Sequence, residues 1–542
     1  MLAPSVESLR RWSQTFTSQG IAGRQQESII TLDGITERET TVTSQAALIA
    51  ILEEKLRLAT LKTFAPTSEK LASLGHPDLF FNEAETLGTK PETDAQAAEI
   101  VVTEHTRERG KRKPIDAALP RRRIEHDIPD AEKMCACGCQ KTRIGEVISE
   151  QLDIEPAKAC VLQHVRAKYA CRACEGTDDS GPTVVTAPLP AQPLPKSNCA
   201  PGLAAFITVS KYADGLPLYR LEGILARYRI SVSRTAMACW MIKLGDLVQP
   251  LIDLFNDHVL AYDILQMDET TVQVLKEEGR AAKDKSFMWV RRGGAPGQPV
   301  ILFDYAATRA ASVPLELLTN YQGFLQSDDY SGYNAAAKRD GVKHVGCLDH
   351  ARRRFIKAVQ AQHTIAGQER GLAPDALKII RKLYAVEKLA RDAKMSAEQR
   401  HKLRQEKAKP IWDELRAWLD RNLGATPPQS LTGKAINYLA ADWPRLIRYL
   451  DDGRVEISNV LCENAIRPFV IGRKNWLFSD TPAGAHASAK LYGIIETAKA
   501  NGLEPYAYLR LIFEKLPQAT TPANVEALLP WNVATAALKP TR

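Results

Sequence analysis

Between Ala261 and Leu348 the chain alternates strand-like and helix-like segments, and their order restricts the fold more than any other feature. Tyr262-Asp-Ile-Leu-Gln-Met267-Asp268-Glu-Thr-Thr271 reads as a strand ending in an acid. Ser286–Arg291 and Val300–Asp304 are two more strands, separated by the breaker run Gly293-Gly-Ala-Pro-Gly297. A helix is expected near Val313–Leu318, then a fourth strand, Gly323-Phe-Leu-Gln-Ser-Asp328-Asp329. A short helix, Tyr333–Arg339, leads to a fifth strand, Val342–Leu348, ending at Asp349-His350.

Three strands, helix, strand, helix, strand is the order expected of an RNase H-like α/β sheet. Asp268 and Asp328 then lie at the ends of adjacent strands. A third acid, Glu463, sits in Ser458-Asn-Val-Leu-Cys-Glu463-Asn-Ala-Ile-Arg467, which reads as a helix with Arg467 four residues on and on the same face. A Gly472-Arg-Lys-Asn475 turn and an apolar Trp-Leu-Phe segment are expected after it. The trio fits polynucleotidyl transfer: two Mg²⁺ ions about 3.5–4 Å apart clamp the attacking and leaving oxygens of an in-line displacement. Mg²⁺ takes hard oxygen ligands and keeps waters, so a few carboxylates around an open site suffice. Without cations, three clustered carboxylates repel one another. Asp304, Asp329 and Asp349 occupy similar strand-end positions and are rivals, because an acid there is usually a turn or cap residue. Residues 356–454, rich in Lys, Arg and Glu, read as an all-α insertion within a catalytic domain spanning 255–480, and 485–542 as a C-terminal helical segment.

The remaining chain divides by composition. Residues 1–43 are polar, without sustained period, and read as a poorly ordered leader. In 44–90, Leu48, Leu52 and Leu56 recur at i+4 in a leucine-zipper-like helix, suited either to a short coiled coil or to docking on its own chain. Residues 91–127 are a basic linker whose Arg107–Arg123 cluster carries much of the excess in a net charge of +8; it suits a polyanion partner or plain solvation equally. Of ten cysteines, Cys135, Cys137, Cys139, Cys171 and Cys174 fall in 128–180, around two strand-like segments, Val147–Ile154 and Cys160–Ala170. That pattern points to a zinc-ribbon-like module in which four of the five thiolates hold a structural Zn²⁺ in a reducing compartment. In 200–250, helices near Leu203–Tyr212 and Leu218–Arg227 precede a third, capped by Ser231 or Ser233, with Arg227, Arg229 and Arg234 beside the turn. This is compatible with a helix-turn-helix DNA reader or with a plain packing unit. The N-terminus lacks a secretory apolar region, and no apolar run approaches the ~18 residues that span a bilayer.

Six segments resemble the large transposase of insertion-sequence-66-type elements: Lys211-Tyr-Ala-Asp-Gly-Leu-Pro-Leu-Tyr-Arg220, Met267-Asp-Glu-Thr270, Leu325-Gln-Ser-Asp-Asp-Tyr-Ser-Gly-Tyr333, Gly346-Cys-Leu-Asp-His-Ala-Arg-Arg-Arg354, Gly472-Arg-Lys-Asn-Trp-Leu-Phe478 and Glu496-Thr-Ala-Lys-Ala-Asn-Gly502. The similarity runs in order from about Ser44 to Leu511. It implies a DDE transposase with Asp268, Asp328 and Glu463 as its acids, Mg²⁺ between them, and His350 as an accessory residue near the scissile phosphate. It further implies DNA partners (element ends and target), a homo-oligomeric synaptic complex, two small companion proteins, and a bacterial, cytoplasmic, nucleoid-associated setting. Alternatives are an RNase H-like nuclease or resolvase, and a catalytically impaired protein that binds element ends. The sequence departs from the family at Asp329, where Gly is usual, at Asp349, where a small residue is usual, and before Glu463. There the family's Asp-Asn-Asn-Pro-x-Glu-Arg is replaced by Ser458-Asn-Val-Leu-Cys-Glu463-Asn464.

Overall fold

The structure is a computed structural model that describes residue 45 and residues 48–60, 159–170, 184–361 and 371–533. The five zinc-site cysteines, the basic linker, the leader and the expected Val147–Ile154 strand lie outside the described residues. In chain order the elements are helix α1 (48–60), β1 (Lys168–Ala170), β2 (Val184–Thr186), α2 (Pro201–Tyr212), α3 (Leu218–Arg227), α4 (Arg234–Leu247) and α5 (Gln249–Ala261). Next come β3 (Ile264–Gln273), β4 (Lys285–Gly293), β5 (Val300–Ala306), α6 (Ser312–Leu317), β6 (Gly323–Gln326), α7 (Asn334–Ala337) and β7 (Val342–Val345). The last are α8 (Leu348–Ala361), α9 (Leu372–Asp392), α10 (Ala397–Leu403), α11 (Lys409–Asn422), α12 (Leu431–Leu446), α13 (Val460–Trp476), α14 (Pro482–Ala500), α15 (Pro505–Lys515) and α16 (Pro522–Glu526). Five strands make one mixed sheet in the order β5-β4-β3-β6-β7.

The chain forms two compact units, and β3 passes from one into the other after Asp268. The first unit holds α1, the start of β3, and 310–462. Here β3, β6 and β7 pair in parallel, with Gln266 opposite Gln326 and Gln326 opposite Val345. Gly323 opens β6 at φ +130°, where a Cβ would come within 2.3 Å of the Asp263 carbonyl oxygen, so a side chain would push the two strands apart. A helical block, α8–α12, runs from Leu348 to Leu446, starting before the position 356 expected from sequence. Its core is continuous with the sheet: Ile264, Phe324 and Val345 pack in one cluster with Phe355, Leu383, Trp412, Trp418 and Leu439. Within it Arg404, fully buried, donates to both Glu387 carboxylate oxygens at 2.8 and 2.9 Å and to the carbonyls of Tyr449, Asp452 and Val455. A buried guanidinium is tolerated because five acceptors replace its water.

The second unit holds α2–α5, the rest of β3, β4 and β5, and the chain from Glu463 onward. β4 and β5 pair antiparallel, and α14 lies along β5, where Thr497 Oγ1 exchanges hydrogen bonds with the amide and carbonyl of Ile301 at 3.0 and 2.9 Å. The α4–α14 contact is close, since a Cβ on Gly245 would come within 2.8 Å of Ala487. The three helices expected in 200–250 are present, and Ser233 Oγ caps α4 by accepting from the Ala236 amide at 3.2 Å.

Three expectations need correction. β3 does not end at Asp268 but continues to Gln273, leaving the acid in mid-strand. Gly472–Asn475 is not a turn. It is the last part of α13, held helical where the Arg473 guanidinium donates to Thr270 Oγ1 (2.8 Å) and Thr271 Oγ1 (3.0 Å) and where Asn475 donates to the Gly215 carbonyl (3.1 Å). The strand expected over Cys160–Ala170 shortens to Lys168–Ala170, which pairs antiparallel with Val184–Thr186.

Candidate active site

Asp268 and Asp328 both belong to the first unit. The β3–β6 register pairs Ile264 with Phe324 and Gln266 with Gln326; on the face of Gln266, Asp268 lies two residues further along β3, and Asp328 lies two residues past Gln326, beyond the end of β6. Beneath the acids that face is sealed by amides rather than apolar groups. Gln266 Nε2 donates to Gln326 Oε1 at 2.7 Å, and Gln326 Nε2 donates to the Glu456 carbonyl at 2.7 Å. Segment 456–459 is thereby fastened across the strand ends. Asn459 Nδ2 donates to the Met267 carbonyl (2.8 Å), the residue before Asp268, and the Leu348 amide donates to the Ile457 carbonyl (3.2 Å). Buried amides with several good partners fix one register and one geometry.

Asp328 follows β6 by two residues and is half-buried. Its Oδ1 accepts from the Tyr330 amide at 3.0 Å, an Asx turn that orients the carboxylate. Ser327 Oγ donates to the Asp328 carbonyl at 2.9 Å and contacts His344 Nε2 at 2.8 Å. Burial first, then Arg445 and Arg448, push His344 down to about 4, so its ring is neutral and donates to Ser327.

The neighbourhood of Asp328 contains an acid that the sequence reading passed over. Asp442, on α12, is 1% exposed, forms an ion pair with Arg445, and stands in the fields of Asp329 and Asp328. Burial above all, opposed by Arg445 and reinforced by Asp329 and Asp328, pushes it up to about 6. Gly346 admits it: a Cβ there would lie 2.6 Å from Asp442 Oδ2. Tyr438, one turn earlier, carries the Arg354 guanidinium 3.9 Å above its ring, and Arg354 reaches Asp329 at 3.7 Å. The available signal was an acid at the place of an apolar residue in the stripe Ile436, Leu439, Leu446.

Each rival acid has a side-chain partner. Asp304 is held by Arg291 at 2.9 and 3.2 Å, across neighbouring strands of the second unit. Asp349 is buried, accepting from the Tyr384 hydroxyl at 2.6 Å. Asp329 is exposed and paired with Arg354. His350 lies in the first turn of α8, half-buried, its amide donating to the Cys347 carbonyl. Glu463 lies in the first turn of α13, half-buried, where the helix dipole favours a negative charge. It opens the second unit's final stretch of chain, four residues after Asn459. Aspartates spaced alike beyond the paired glutamines supply the hard oxygen donors that Mg²⁺ takes, so the donor set fits that ion.

Four family models match in order along the chain. "Transposase C of IS166 homeodomain" covers residues 51–124, "zinc-finger binding domain of transposase IS66" 132–175, "Transposase IS66 family" 196–487 and "IS66 C-terminal element" 494–531. The zinc-finger match spans all five candidate cysteines. Three proteins of Sinorhizobium fredii, each described as uncharacterized, are similar over most of their length. Protein y4qI is 34% identical over 78% of this chain and 78% of its own, and y4jD 32% over 76% and 81%. Protein y4hP is 28% identical over 89% and 88%.

Proposed function

The chain belongs to the IS66 transposase family, and from that premise we propose that it cuts DNA at the ends of an insertion sequence and joins the freed ends to target DNA, with Asp268, Asp328 and Glu463 as its acidic residues. In the first step water attacks the phosphorus at the element end; the P–O3′ bond breaks and the 3′-oxygen leaves with a proton as a hydroxyl. In the second step that hydroxyl attacks a target phosphodiester, forming a new 3′-O–P bond and releasing a target 3′-hydroxyl. Mg²⁺ ions held by the three carboxylates would neutralise charge on the phosphoryl oxygens and lower the pKa of the attacking group. The chain's own residues keep those carboxylates in place. Gln266 and Gln326 hold the two strands in register, Ser327 and His344 fix the turn after β6, and Asn459 anchors the approach to α13.

What supports this reading is the equal spacing of Asp268 and Asp328 beyond Gln266 and Gln326, which a buried amide hydrogen bond joins at 2.7 Å. A half-buried His350 suits an accessory contact to the scissile phosphate. The five cysteines, within the zinc-finger match, would hold structural Zn²⁺ through four thiolates. The homeodomain-model match and the exposed Arg227, Arg229 and Arg234 beside the α3–α4 turn suit phosphate contacts to DNA. The exposed leucines of α1 suit pairing with a second copy when two ends are brought together.

The test is strand transfer of pre-cleaved element-end DNA into a supercoiled plasmid with Mg²⁺. Joined product is expected from the wild type and not from Asp268→Asn, Asp328→Asn or Glu463→Gln, each of which should lower the rate by at least about 100-fold while retaining end binding. Specific end binding without joining by the wild type would favour an impaired end-binding protein, the reading to which the altered residues before Glu463 point. Nicking without joining would favour a nuclease.

A further inference from the structure

Where α13 ends, the second unit presents two large apolar side chains to solvent. Leu477 is 64% exposed and Phe478 44%. Leu477 adopts φ +68°, a left-handed conformation rare for a side chain of its size. The pair is not a loose tip. The Leu477 amide closes on the Arg473 carbonyl at 2.8 Å, and the Phe478 amide on the Trp476 carbonyl at 2.9 Å. The next residues are laced to the extension of β3: the Ser479 amide donates to the Gln273 carbonyl (2.9 Å), the Leu275 amide to the Ser479 carbonyl (3.0 Å), and the Lys276 amide to the Asp480 carbonyl (3.0 Å). Below the pair, Trp476 packs edge-on against Phe469, ring centres 5.5 Å apart. This is a rigid mount for side chains that nothing on their own unit buries.

The surroundings are cationic. Arg473 and Lys474 occupy the last turn of α13, Lys211 Nζ lies 5.4 Å from the Trp476 ring centre, and the Lys276 amide, three residues past β3, donates to the Asp480 carbonyl. Of the acids nearby in sequence, Asp480 is neutralised by Lys276 at 2.9 Å. Burial pushes Lys211 down to about 8, which marks a poorly solvated cation that a phosphate would satisfy. Apolar side chains ringed by cations fit one ligand chemistry, flat apolar faces flanked by phosphates, and hence a nucleobase in its strand.

We propose that Leu477 and Phe478 form a wedge that stacks on a base at a point where the DNA duplex opens, with Arg473, Lys474 and Lys211 taking the adjacent phosphates. The proposal rests on the transposase reading only in taking DNA as the ligand; it requires no cleavage. The probe is a forked duplex with two unpaired arms, 5-iodouracil at the first unpaired position, and the fully paired duplex as control, with the full zinc-loaded chain in buffer without added Mg²⁺. Wild type should bind the fork about tenfold more tightly than the duplex, and irradiation should crosslink the 5-iodouracil to the peptide containing Phe478. Leu477→Gly and Phe478→Ala, both at exposed positions, should abolish the preference and the crosslink while changing duplex affinity less than about twofold. Equal affinity of the wild type for fork and duplex, or a crosslink confined to other segments, overturns the wedge even if strand transfer succeeds. A chain that binds neither DNA overturns both readings. Dissociation of an oligomer by Phe478→Asp, without change in fork binding, would assign the face to a second copy instead.

Discussion

Asp442 carries its charge at a cost to the fold. Its folded pKa of about 6 stands above the ordinary 3.8, chiefly because burial disfavours the anion. A group raised in this way stabilises fully below its unfolded value and loses that contribution as pH rises through its folded value. The contribution of Asp442 is therefore intact below about pH 3.8 and gone above about pH 6. Asp442→Asn is expected to raise the unfolding free energy by about 2 kcal/mol at about pH 7.5, and several-fold less at about pH 4, in chemical denaturation with chelator present. Equal gains at both pH values would remove burial of the anion as the cause. Nearby, His344 Nε2 and Asp328 Oδ1 show the opposite economy, each with a partner at ordinary distance.

At the scale of elements, α1 uses two faces. Glu54 Oε2 accepts from the Leu431 amide at 2.9 Å, placing a carboxylate at the N-terminus of α12, where the dipole favours it. Leu48, Leu52 and Leu56, one turn apart, remain 56%, 53% and 68% exposed. If those leucines pair two copies, Leu52→Lys with Leu56→Lys should halve the mass seen by sedimentation, whereas Glu54→Ala should leave it unchanged. A wild type that sediments as a monomer at tens of micromolar would end that role. Strand and helix order was legible from period and breakers, and the cap of α4 from the serines preceding it. The ends of β3 and α13 were not. β3 extends past Asp268 because Val272 and Val274 are buried, and α13 outlasts its glycine because Arg473 and Asn475 find distant partners. Local pattern carries no information about such partners. Nor could it sort the acids: Asp304 and Asp328 look alike in sequence, but Arg291 lies across the strand from Asp304, and Asp328 turns back onto the Tyr330 amide.

For the whole molecule, the family matches run in series from 51 to 531, so the zinc-finger region and the acidic residues belong to one chain. Five thiols exceed what a tetrahedral Zn²⁺ uses. Purified protein should contain one zinc per chain by elemental analysis; Cys171→Ser and Cys174→Ser should each remove it, and one of Cys135→Ser, Cys137→Ser and Cys139→Ser should not. Zinc retained by every single variant would exclude a four-thiolate site. The helical insertion bears on any attempt to reshape the gene. Because Ile264, Phe324 and Val345 of the sheet share their core with Trp412, Trp418 and Leu439, the helices cannot be excised to make a miniature recombinase without stripping β3, which carries Asp268, and β6, which leads into Asp328. The exposed Gly424–Ala425 turn between α11 and α12, where a Cβ on Gly424 would meet nothing within 4 Å, is instead the place to splice in a fluorescent tag or a programmable DNA-targeting module.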